Sequence, residues 1–298
     1  MRSQTMAATL AVVILVPAVA GAVGEYPPRI DGAQVETYKT VGDTTLKLWI
    51  FAPPAAADAA RPAIVFFFGG GWKAGSPQQF EPQCRQLAER GLVAITADYR
   101  VASRQGAKPV ECLADARSAI RWVRTNAARL GVDPGRIAAA GGSAGGHLAA
   151  GTAFVDAFDE PAEDQGVSAA PNALVLFNPA LVLAPLPGLD PAGFGTRVPA
   201  DRLGTEPENL SPAHHIKPGG PPTIIFHGDA DATVPIPTAE AFAARMRQAG
   251  NRCELVTSKG QPHGFFNREP WRSQTLRETE TFLESLGWIS AKAPSSVR

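Results

Sequence analysis

A serine between glycines lies at residues 141–145, where an apolar run ends and a run of small, helix-compatible residues begins. Ser143 is the central residue of this G-x-S-x-G pattern. A serine on a sharp turn from strand to helix exposes its Oγ, as the nucleophile of an acyl transfer requires. In a glycine-rich chain the pattern alone is weak, so the interpretation depends on partner residues elsewhere in the sequence.

A serine hydroxyl needs an adjacent base to take its proton. Among the five histidines, His263 lies in a loop after the last predicted strand and before the final helix. One known chain order for these groups is Ser, then Asp or Glu, then His, and His263 satisfies it. The other histidines are predicted to be structural: His147, His214, His215 and His227.

A carboxylate must orient this base, and Asp229 and Asp231 both follow an apolar run between Ser143 and His263. Either one could act. Together with His227 they would also form an H-x-D-x-D metal site. Because further ligands are missing and serine chemistry already explains an acid here, we expect neither a metal nor another cofactor.

Attack on an ester carbonyl builds negative charge on oxygen, which backbone N–H groups must stabilise. The residue after the nucleophile, Ala144, supplies one such group, and a loop after an early strand must supply another. The glycines of residues 68–72, Phe-Gly-Gly-Gly-Trp, fit that loop. Ser76 stands where a phosphate loop needs lysine, and no dinucleotide fingerprint opens a helix here. Trp72 either lines the substrate pocket or packs in the core.

Short unbroken apolar runs predict strands buried on both faces. They cover residues 63–68, 92–97, 137–140, 173–177, 223–226 and 254–256, after an alternating hairpin over 35–40 and 46–52 that turns at Gly42 and Asp43. Helical patterns cover residues 77–90, 113–123, 144–154, 238–248 and 271–286. This alternation predicts a doubly wound α/β fold, with a mostly parallel central sheet, an antiparallel N-terminal hairpin and helices on both faces.

Residues 1–22 have the features of a secretory signal peptide: Arg2, an apolar run over 7–20 and a small-residue cleavage site ending at Ala22. We therefore expect an exported protein, periplasmic or extracellular, cleaved near Ala22. Residues 23–298 are predicted to form a single domain. Within it, the Pro- and Gly-rich segment 179–222 is either a cover for the pocket or a solvated surface excursion.

The charge balance of the chain argues against two classes of binding partner, and its cysteines allow two interpretations. The 28 Lys and Arg residues balance 28 Asp and Glu residues without forming a basic stripe, which argues against nucleic acid and anionic membranes. After the leader, no stretch is long and apolar enough for a membrane span.

An oxidising compartment would permit a Cys84–Cys112 disulfide. The favoured interpretation is three buried thiols.

Six motifs, taken together, resemble those of the α/β-hydrolases of the esterase and lipase group over residues 46–286. They are Phe68-Gly-Gly-Gly-Trp72, Asp98-Tyr99-Arg100, Asp115 with Trp122-Val123, Gly141-Gly-Ser-Ala-Gly-Gly-His147, His227-Gly-x-x-Asp231-x-x-Val234-Pro235 and His263-Gly264-Phe265. The chain is similar to hormone-sensitive-lipase-like and acetyl-xylan- or feruloyl-esterase-like bacterial enzymes. The resemblance therefore implies an α/β-hydrolase fold.

The resemblance also implies residue roles. It places the acid at Asp231 and the oxyanion donors at Gly70, Gly71 and Ala144. It makes three further charged residues structural: Asp98, Arg100 and Asp115. Phe68 is a departure, because related enzymes usually carry histidine there.

The activity implied is that of an exported serine carboxylic-ester hydrolase acting on short-chain acyl esters, which include acetyl or feruloyl groups on carbohydrate. Its substrate would be a small molecule or a polysaccharide ester. Three alternatives stay open: a serine peptidase of the prolyl-oligopeptidase kind, a true lipase, and a non-catalytic binding protein on the same scaffold.

Overall fold

An eight-stranded sheet organises the part of the chain that the computed structural model describes, residues 26–53, 59–189 and 198–290. Its strands are β1 (Gln34–Val41), β2 (Thr44–Phe51), β3 (Arg61–Phe67), β4 (Val93–Ala97), β5 (Val132–Gly142), β6 (Ala173–Phe177), β7 (Thr223–Gly228) and β8 (Cys253–Ser258). Their order across the sheet is β1-β2-β4-β3-β5-β6-β7-β8.

The helices alternate with these strands. They are α1 (Glu81–Glu89), α2 (Ala102–Gln105), α3 (Pro109–Thr125), α4 (Ala127–Leu130), α5 (Ala144–Phe154), α6 (Ala200–Leu203), α7 (Pro207–Leu210), α8 (Ile236–Gln248) and α9 (Trp271–Ser285). Short 3₁₀ turns cover Pro77–Phe80, Pro212–His214 and Phe265–Asn267. None of the helices within the described ranges combines the length and the apolar character that a membrane crossing needs.

The sheet confirms the predicted α/β class and its antiparallel start. β1 pairs antiparallel with β2, and β2 with β4, whereas the pairs from β4 through β8 are parallel. The connection from β3 to β4 runs toward the β1 edge of the sheet, whereas the connections from β4 onward run toward the β8 edge. The strand order therefore reverses beside β3. Ligands of open α/β sheets bind beyond the carboxyl ends of strands at such a switch point.

Alternate residues of the central strands face opposite layers of helices. Along β3, Ile64 and Phe66 pack in the apolar cluster that includes side chains of α1 and α9. Val65 and Phe67 pack instead in the cluster that includes side chains of α3, α5 and α8. All four are fully buried. The unbroken apolar run of β3 is therefore the result of burial on both faces of the sheet.

One predicted helix is divided in the structure. The pattern over residues 77–90 predicts a single helix, but a 3₁₀ turn over Pro77–Phe80 precedes α1. Pro82 lies in the first turn of α1. It lacks an N–H, and its ring would clash with the carbonyl four residues earlier, so an α-helix cannot continue through it.

Of two further predictions, the structure confirms the one about the cysteines and does not test the one about the leader. Cys84, Cys112 and Cys253 are all free and buried, as the favoured interpretation predicted. The predicted leader over residues 1–22 lies outside the described residues, as do residues 190–197 of the Pro- and Gly-rich segment. The leader and its cleavage site therefore stay predictions.

Candidate active site

Ser143 sits on the turn that joins β5 to α5. β5 ends at Gly142, α5 begins at Ala144, and the backbone of Ser143 has φ 55° and ψ −118°. Non-glycine residues rarely adopt such values, and strained backbone of this kind clusters at functional sites. Gly145 makes the turn possible, because a Cβ there would lie 1.9 Å from the carbonyl oxygen of Phe67.

Ser143, His263 and Asp231 form a continuous hydrogen-bonded chain, although 120 residues separate the serine from the histidine. Ser143 Oγ lies 2.9 Å from His263 Nε2, and His263 Nδ1 lies 2.7 Å from Asp231 Oδ2. An ionised carboxylate only accepts hydrogen bonds, so Nδ1 carries the proton and Nε2 presents a lone pair to the serine hydroxyl. Ser143 therefore donates to His263, and His263 donates to Asp231.

The surroundings of Asp231 keep its carboxyl ionised. Burial by itself would raise the pKa of Asp231, but the His227 imidazole 3.4 Å away and hydrogen bonds from His263 and the Val234 backbone outweigh it and hold that pKa well below its usual range. Oδ1 accepts the N–H groups of Thr233 and Val234, each at 2.8 Å. An ionised, fixed carboxylate can orient the imidazole and stabilise the imidazolium that forms when it takes a proton.

The structure separates the two aspartates that the sequence left open. Asp229 is exposed and accepts a hydrogen bond from the Gly260 backbone, whereas Asp231 is buried behind His263. His227 Nε2 donates to the carbonyl of Val234 at 2.8 Å. Within the described ranges, no group of three His, Cys, Asp or Glu side chains is arranged to hold a metal ion.

A loop of residues 69–75, here called the glycine loop, follows β3 and faces Ser143. Gly70 and Gly71 have φ values of 125° and 63°, and a Cβ on Gly70 would lie 2.0 Å from the carbonyl oxygen of Ala74. Both glycines line the same cleft as Ser143. Ala144 is the first residue of α5, so its N–H lacks an acceptor within the helix. Two of the three predicted oxyanion donors, Gly70 and Gly71, thus line the cleft beside Ser143, and the third, Ala144, directly follows Ser143.

The cleft has a volume of about 560 Å³ and is open to solvent. It is lined by Gly69, Gly70, Gly71, Gly75, Ser76, Gln79, Ser143, Thr233, His263, Gly264, Phe266 and Asn267. Its walls come from the glycine loop on one side and from the loop that carries His263 on the other. Small and polar residues dominate this lining, which leaves room for an ester beside the Ser143 hydroxyl.

The structure corrects the predicted substrate contact of Trp72. This side chain is only 5% exposed and does not belong to the lining of the cleft. Its indole N–H donates to His147 Nδ1 at 3.3 Å, and His147 Nε2 donates to the carbonyl of Leu210 at 2.7 Å. Trp72 turns inward because the interior offers its N–H a partner. Burial lowers the pKa of His147 to about 4, so this histidine is neutral.

The described part of segment 179–222 packs against the domain. Leu181, Leu203 and Leu210 are fully buried, which argues against a solvated excursion. None of the described residues of the segment lines the cleft. Arg202 nevertheless reaches the glycine loop, donating from a terminal nitrogen to the carbonyl of Gly71 at 2.9 Å. The segment therefore supports the rim of the cleft at this point.

Phe68, the departure from the family pattern, is buried below the glycine loop. Its ring stacks on that of Tyr99, with centroids 4.0 Å apart, and the Tyr99 hydroxyl donates to the carbonyl of Phe68 at 2.7 Å. The side chain thus fills space under the loop, and it carries no polar atom that could compete for the backbone N–H groups of the loop.

Three charged residues have the structural surroundings that the resemblance implies. Asp115 is fully buried and accepts three hydrogen bonds from Arg100, two from its side chain at 2.8 and 2.9 Å and one from its backbone N–H at 3.0 Å. Lys39 also pairs with Asp115, at 2.9 Å. Asp98 is buried and accepts from the Tyr99 backbone at 2.8 Å.

Two residues of the site were absent from the sequence prediction. Asn178 follows β6 directly and donates from Nδ2 to Asp231 Oδ2 at 2.7 Å. Its place at the carboxyl end of a predicted buried strand could have pointed to it. Gln79 accepts the N–H of Gly69 at 2.6 Å and donates to Asn267 Oδ1 at 3.2 Å. No local pattern marks Gln79, because its partners come from distant parts of the chain.

Comparison with known proteins agrees with this geometry. Esterase LipC of Mycobacterium tuberculosis is 30% identical over 215 residues, which cover 68% of this chain and 53% of LipC. The chain therefore spans about half the length of LipC, and other curated relatives that it matches are similarly long.

Solved structures of an esterase from Thermogutta terrifontis, Est2, match over nearly their whole length. The native form has 51% sequence identity and a TM-score of 0.86, covering 91% of this chain and 98% of the Est2 chain. The butyrate-bound form has 50% identity and a TM-score of 0.84, covering 90% of this chain and 99% of that chain.

The family model described as the alpha/beta hydrolase fold matches residues 64–267, which run from β3 past His263. This range contains the glycine loop, Ser143 and Asp231 as well. The resemblance inferred from the motifs is thus confirmed: this chain belongs to the α/β-hydrolase fold family.

Proposed function

We propose that this protein is a serine carboxylic-ester hydrolase that acts on short-chain acyl esters through an acyl-enzyme. The observation that carries the proposal is the chain of hydrogen bonds from Ser143 through His263 to Asp231, at 2.9 and 2.7 Å, at the end of an open cleft. The esterase names of LipC and Est2 support the same activity.

In the first half of the reaction, His263 Nε2 takes the proton of Ser143 as Oγ attacks the ester carbonyl carbon. The C=O π electrons move to oxygen, and the N–H groups of Gly70, Gly71 and Ala144 stabilise that oxyanion. When the C–O bond to the alcohol breaks, the Nε2 proton passes to the departing oxygen. The alcohol leaves, and the acyl group stays on Ser143.

In the second half, water enters the position that the alcohol has left. His263 removes a proton from the water as its oxygen attacks the acyl carbon, and the same donors hold the second oxyanion. The Ser143 Oγ bond then breaks, Oγ recovers the proton from His263, and a carboxylic acid is released. Throughout, ionised Asp231 holds the imidazole in the tautomer that both steps need.

The acyl group is proposed to be short. Est2 has been solved with propionate and with butyrate bound, and it shares half of its residues with this chain. Acetyl or feruloyl groups on carbohydrate are one source of such esters, as the resemblance implied. A graded panel of nitrophenyl esters, together with acetylated xylan and feruloyl esters, distinguishes these substrates by kcat/KM.

We also propose that the protein works outside the cytoplasm, which rests on the predicted leader alone. N-terminal sequencing of protein recovered from fractionated cells tests it. A mature chain that starts near residue 23 in the periplasm or medium supports export. An uncleaved chain in the cytoplasm contradicts it.

Ser143→Ala is the direct test of the activity. We expect hydrolysis of p-nitrophenyl acetate to fall by about 10⁴-fold or more, because removal of the nucleophile leaves only the oxyanion donors and binding. Ser118→Ala is the matched control, since Ser118 is buried and its hydroxyl donates to the carbonyl of Ala114 in its own helix. A fluorophosphonate probe should label the parent and Ser118→Ala but not Ser143→Ala. Parent-like hydrolysis by Ser143→Ala, or cleavage of proline-containing anilides without ester hydrolysis, would overturn the proposal.

A further inference from the structure

Residues of α2 anchor the glycine loop by donating hydrogen bonds to backbone carbonyl groups of the loop. The backbone N–H of Ala102 donates to the carbonyl of Trp72 at 3.1 Å, and that of Ser103 donates to the carbonyl of Lys73 at 2.9 Å. The Arg104 side chain adds a third contact, donating to the carbonyl of Gly75 at 2.8 Å. Three successive contacts therefore reach the second half of the loop from one short helix.

Gly75 is closely packed against the start of the same loop. Its φ is 131°, and a Cβ there would lie 2.3 Å from the carbonyl oxygen of Gly69 and 2.4 Å from the ring of Phe68. A shift of Gly75 would therefore displace Gly69, which directly precedes the proposed donor Gly70. The Arg104 contact reaches the oxyanion donors through this packing.

Arg104 is itself held by the first residue that the structure describes. Its guanidinium carbon lies 3.7 Å from the ring centroid of Tyr26 and 6.0 Å from that of Phe68. A cation so close to the face of an aromatic ring is attracted by the ring quadrupole. A terminal nitrogen of Arg104 also donates to the Tyr26 hydroxyl at 2.8 Å. That hydroxyl in turn donates to the buried carboxylate of Asp98.

We propose that Tyr26 and Arg104 form a clamp that positions the glycine loop for oxyanion stabilisation, which makes both of them positioning residues of the hydrolase. The inference rests on the proposed function. It assigns a role to the N-terminal segment beyond the predicted leader cleavage site near Ala22. It also gives the Phe68 ring a role in the packing, since this ring contacts both the guanidinium of Arg104 and the ring of Tyr99.

Kinetics of substituted full-length protein give the first test. We expect Arg104→Met to lower kcat for p-nitrophenyl acetate by about 10- to 100-fold with less than threefold change in KM, since a misplaced donor costs up to about 10²-fold. Tyr26→Phe keeps the ring and should cost less than Tyr26→Leu. Added guanidinium should restore part of the activity of Arg104→Met. Arg252→Met is the matched control, because Arg252 lies over the Phe282 ring, away from the loop.

Limited trypsin cleavage gives a readout that is independent of activity. Lys73 is exposed within the glycine loop, so cleavage after it reports how often the loop opens. We expect faster cleavage at Lys73 in Arg104→Met and Tyr26→Leu, and parent-like cleavage in Arg252→Met. If Arg104→Met does not fold, Arg104→Lys, which keeps the charge, takes its place. It should show a smaller loss of kcat and a smaller increase in the rate of cleavage at Lys73.

The two proposals fail in different ways. An inactive parent protein whose Lys73 site opens in Arg104→Met would overturn the proposed hydrolase and leave the clamp of the loop standing. An active parent whose Arg104 and Tyr26 variants keep both kcat and the Lys73 cleavage rate would overturn the clamp alone. A rise in KM at constant kcat would also contradict it, because the clamp acts on the transition state.

Discussion

Asn178 and His263 donate to the same oxygen of Asp231, each at 2.7 Å. Asn178 lies at the end of β6 and is fully buried. The carboxylate is thereby fixed from the end of β6, which neighbours β5, the strand that Ser143 directly follows. This relationship makes Asn178 the most informative residue that the sequence analysis did not single out.

Asn178→Leu should lower kcat by about 10- to 100-fold and leave KM nearly unchanged. A hydrogen bond to a charged group contributes about 1.5–3 kcal/mol, and about 1.4 kcal/mol corresponds to tenfold in rate. Initial rates with p-nitrophenyl acetate, normalised to the concentration of sites that a fluorophosphonate labels, measure this loss of kcat. Asn251→Leu is the control, because Asn251 is also buried but its side-chain hydrogen bonds within the described residues go to Lys217, Gly220 and Met246. Equal losses of kcat in both variants would contradict a role at Asp231.

Asp231→Asn and Asp229→Asn should differ by orders of magnitude. With asparagine at 231, an amide cannot hold the imidazole in the required tautomer, and the corresponding change in a serine protease lowers kcat by about 10⁴-fold. Asp229 contacts the Gly260 backbone instead and is exposed, so its variant should stay within about threefold of the parent. Steady-state kcat values check both. A larger loss at position 229 would reverse the assignment of the acid.

Gln79→Ala should reduce kcat/KM about tenfold, since its side chain joins Gly69 of the glycine loop to Asn267 of the opposite wall. Without it, the first N–H of the loop loses its acceptor and the two walls lose their bridge. Gln78→Ala is a close control, because Gln78 is the adjacent residue and is exposed. If the two variants behaved alike, the bridge would have no part in holding the cleft.

His147 should make the protein less stable as the medium is acidified. Burial lowers its pKa from 6.5 to about 4, so the unfolded chain takes up a proton below about pH 6.5 while the folded chain resists until about pH 4. By linkage, folding then loses free energy as the pH falls through this window. The loss amounts to about 3 kcal/mol at 1.36 kcal/mol for each pKa unit.

Urea unfolding of the parent and of His147→Gln at pH 7 and pH 4 measures this effect. Glutamine can also accept from Trp72 and donate to Leu210, but it does not titrate. The stability difference between the two proteins should therefore shift by about 3 kcal/mol against the parent on acidification. Other buried groups contribute to both proteins; Asp98, whose pKa burial raises to about 6, cancels in the difference. A pH-independent difference would show that His147 is not the group responsible.

Much of the fold could be predicted because buried strands and helices have recognisable patterns of apolar residues in the sequence. Residues 63–67 of β3 are all apolar because both faces of this strand are covered, and the hairpin of β1 and β2 turns at Gly42 as predicted. The division of helix 77–90 was missed although Pro82 is visible in the sequence. Its apolar spacing continues across the break, and spacing alone does not report where a backbone hydrogen bond is lost.

The orientation of Trp72 shows where local reasoning ends. Core and pocket positions both accept an indole, so residue type could not separate them. The choice was made by His147, 75 residues away, which offers a buried acceptor for the indole N–H. Asn178 and Gln79 escaped prediction for the same reason, since each acts through a partner on another element.

The sequence by itself determined the order of strands and helices and the residue types that serine chemistry needs at 143, 231 and 263, because periodicity and turn chemistry are local. Only the tertiary structure decided which aspartate faces the imidazole, which way Trp72 points, and which side chains brace the glycine loop. Those choices depend on distances between residues far apart in the chain, which take their values only when the parallel strands align their carboxyl ends.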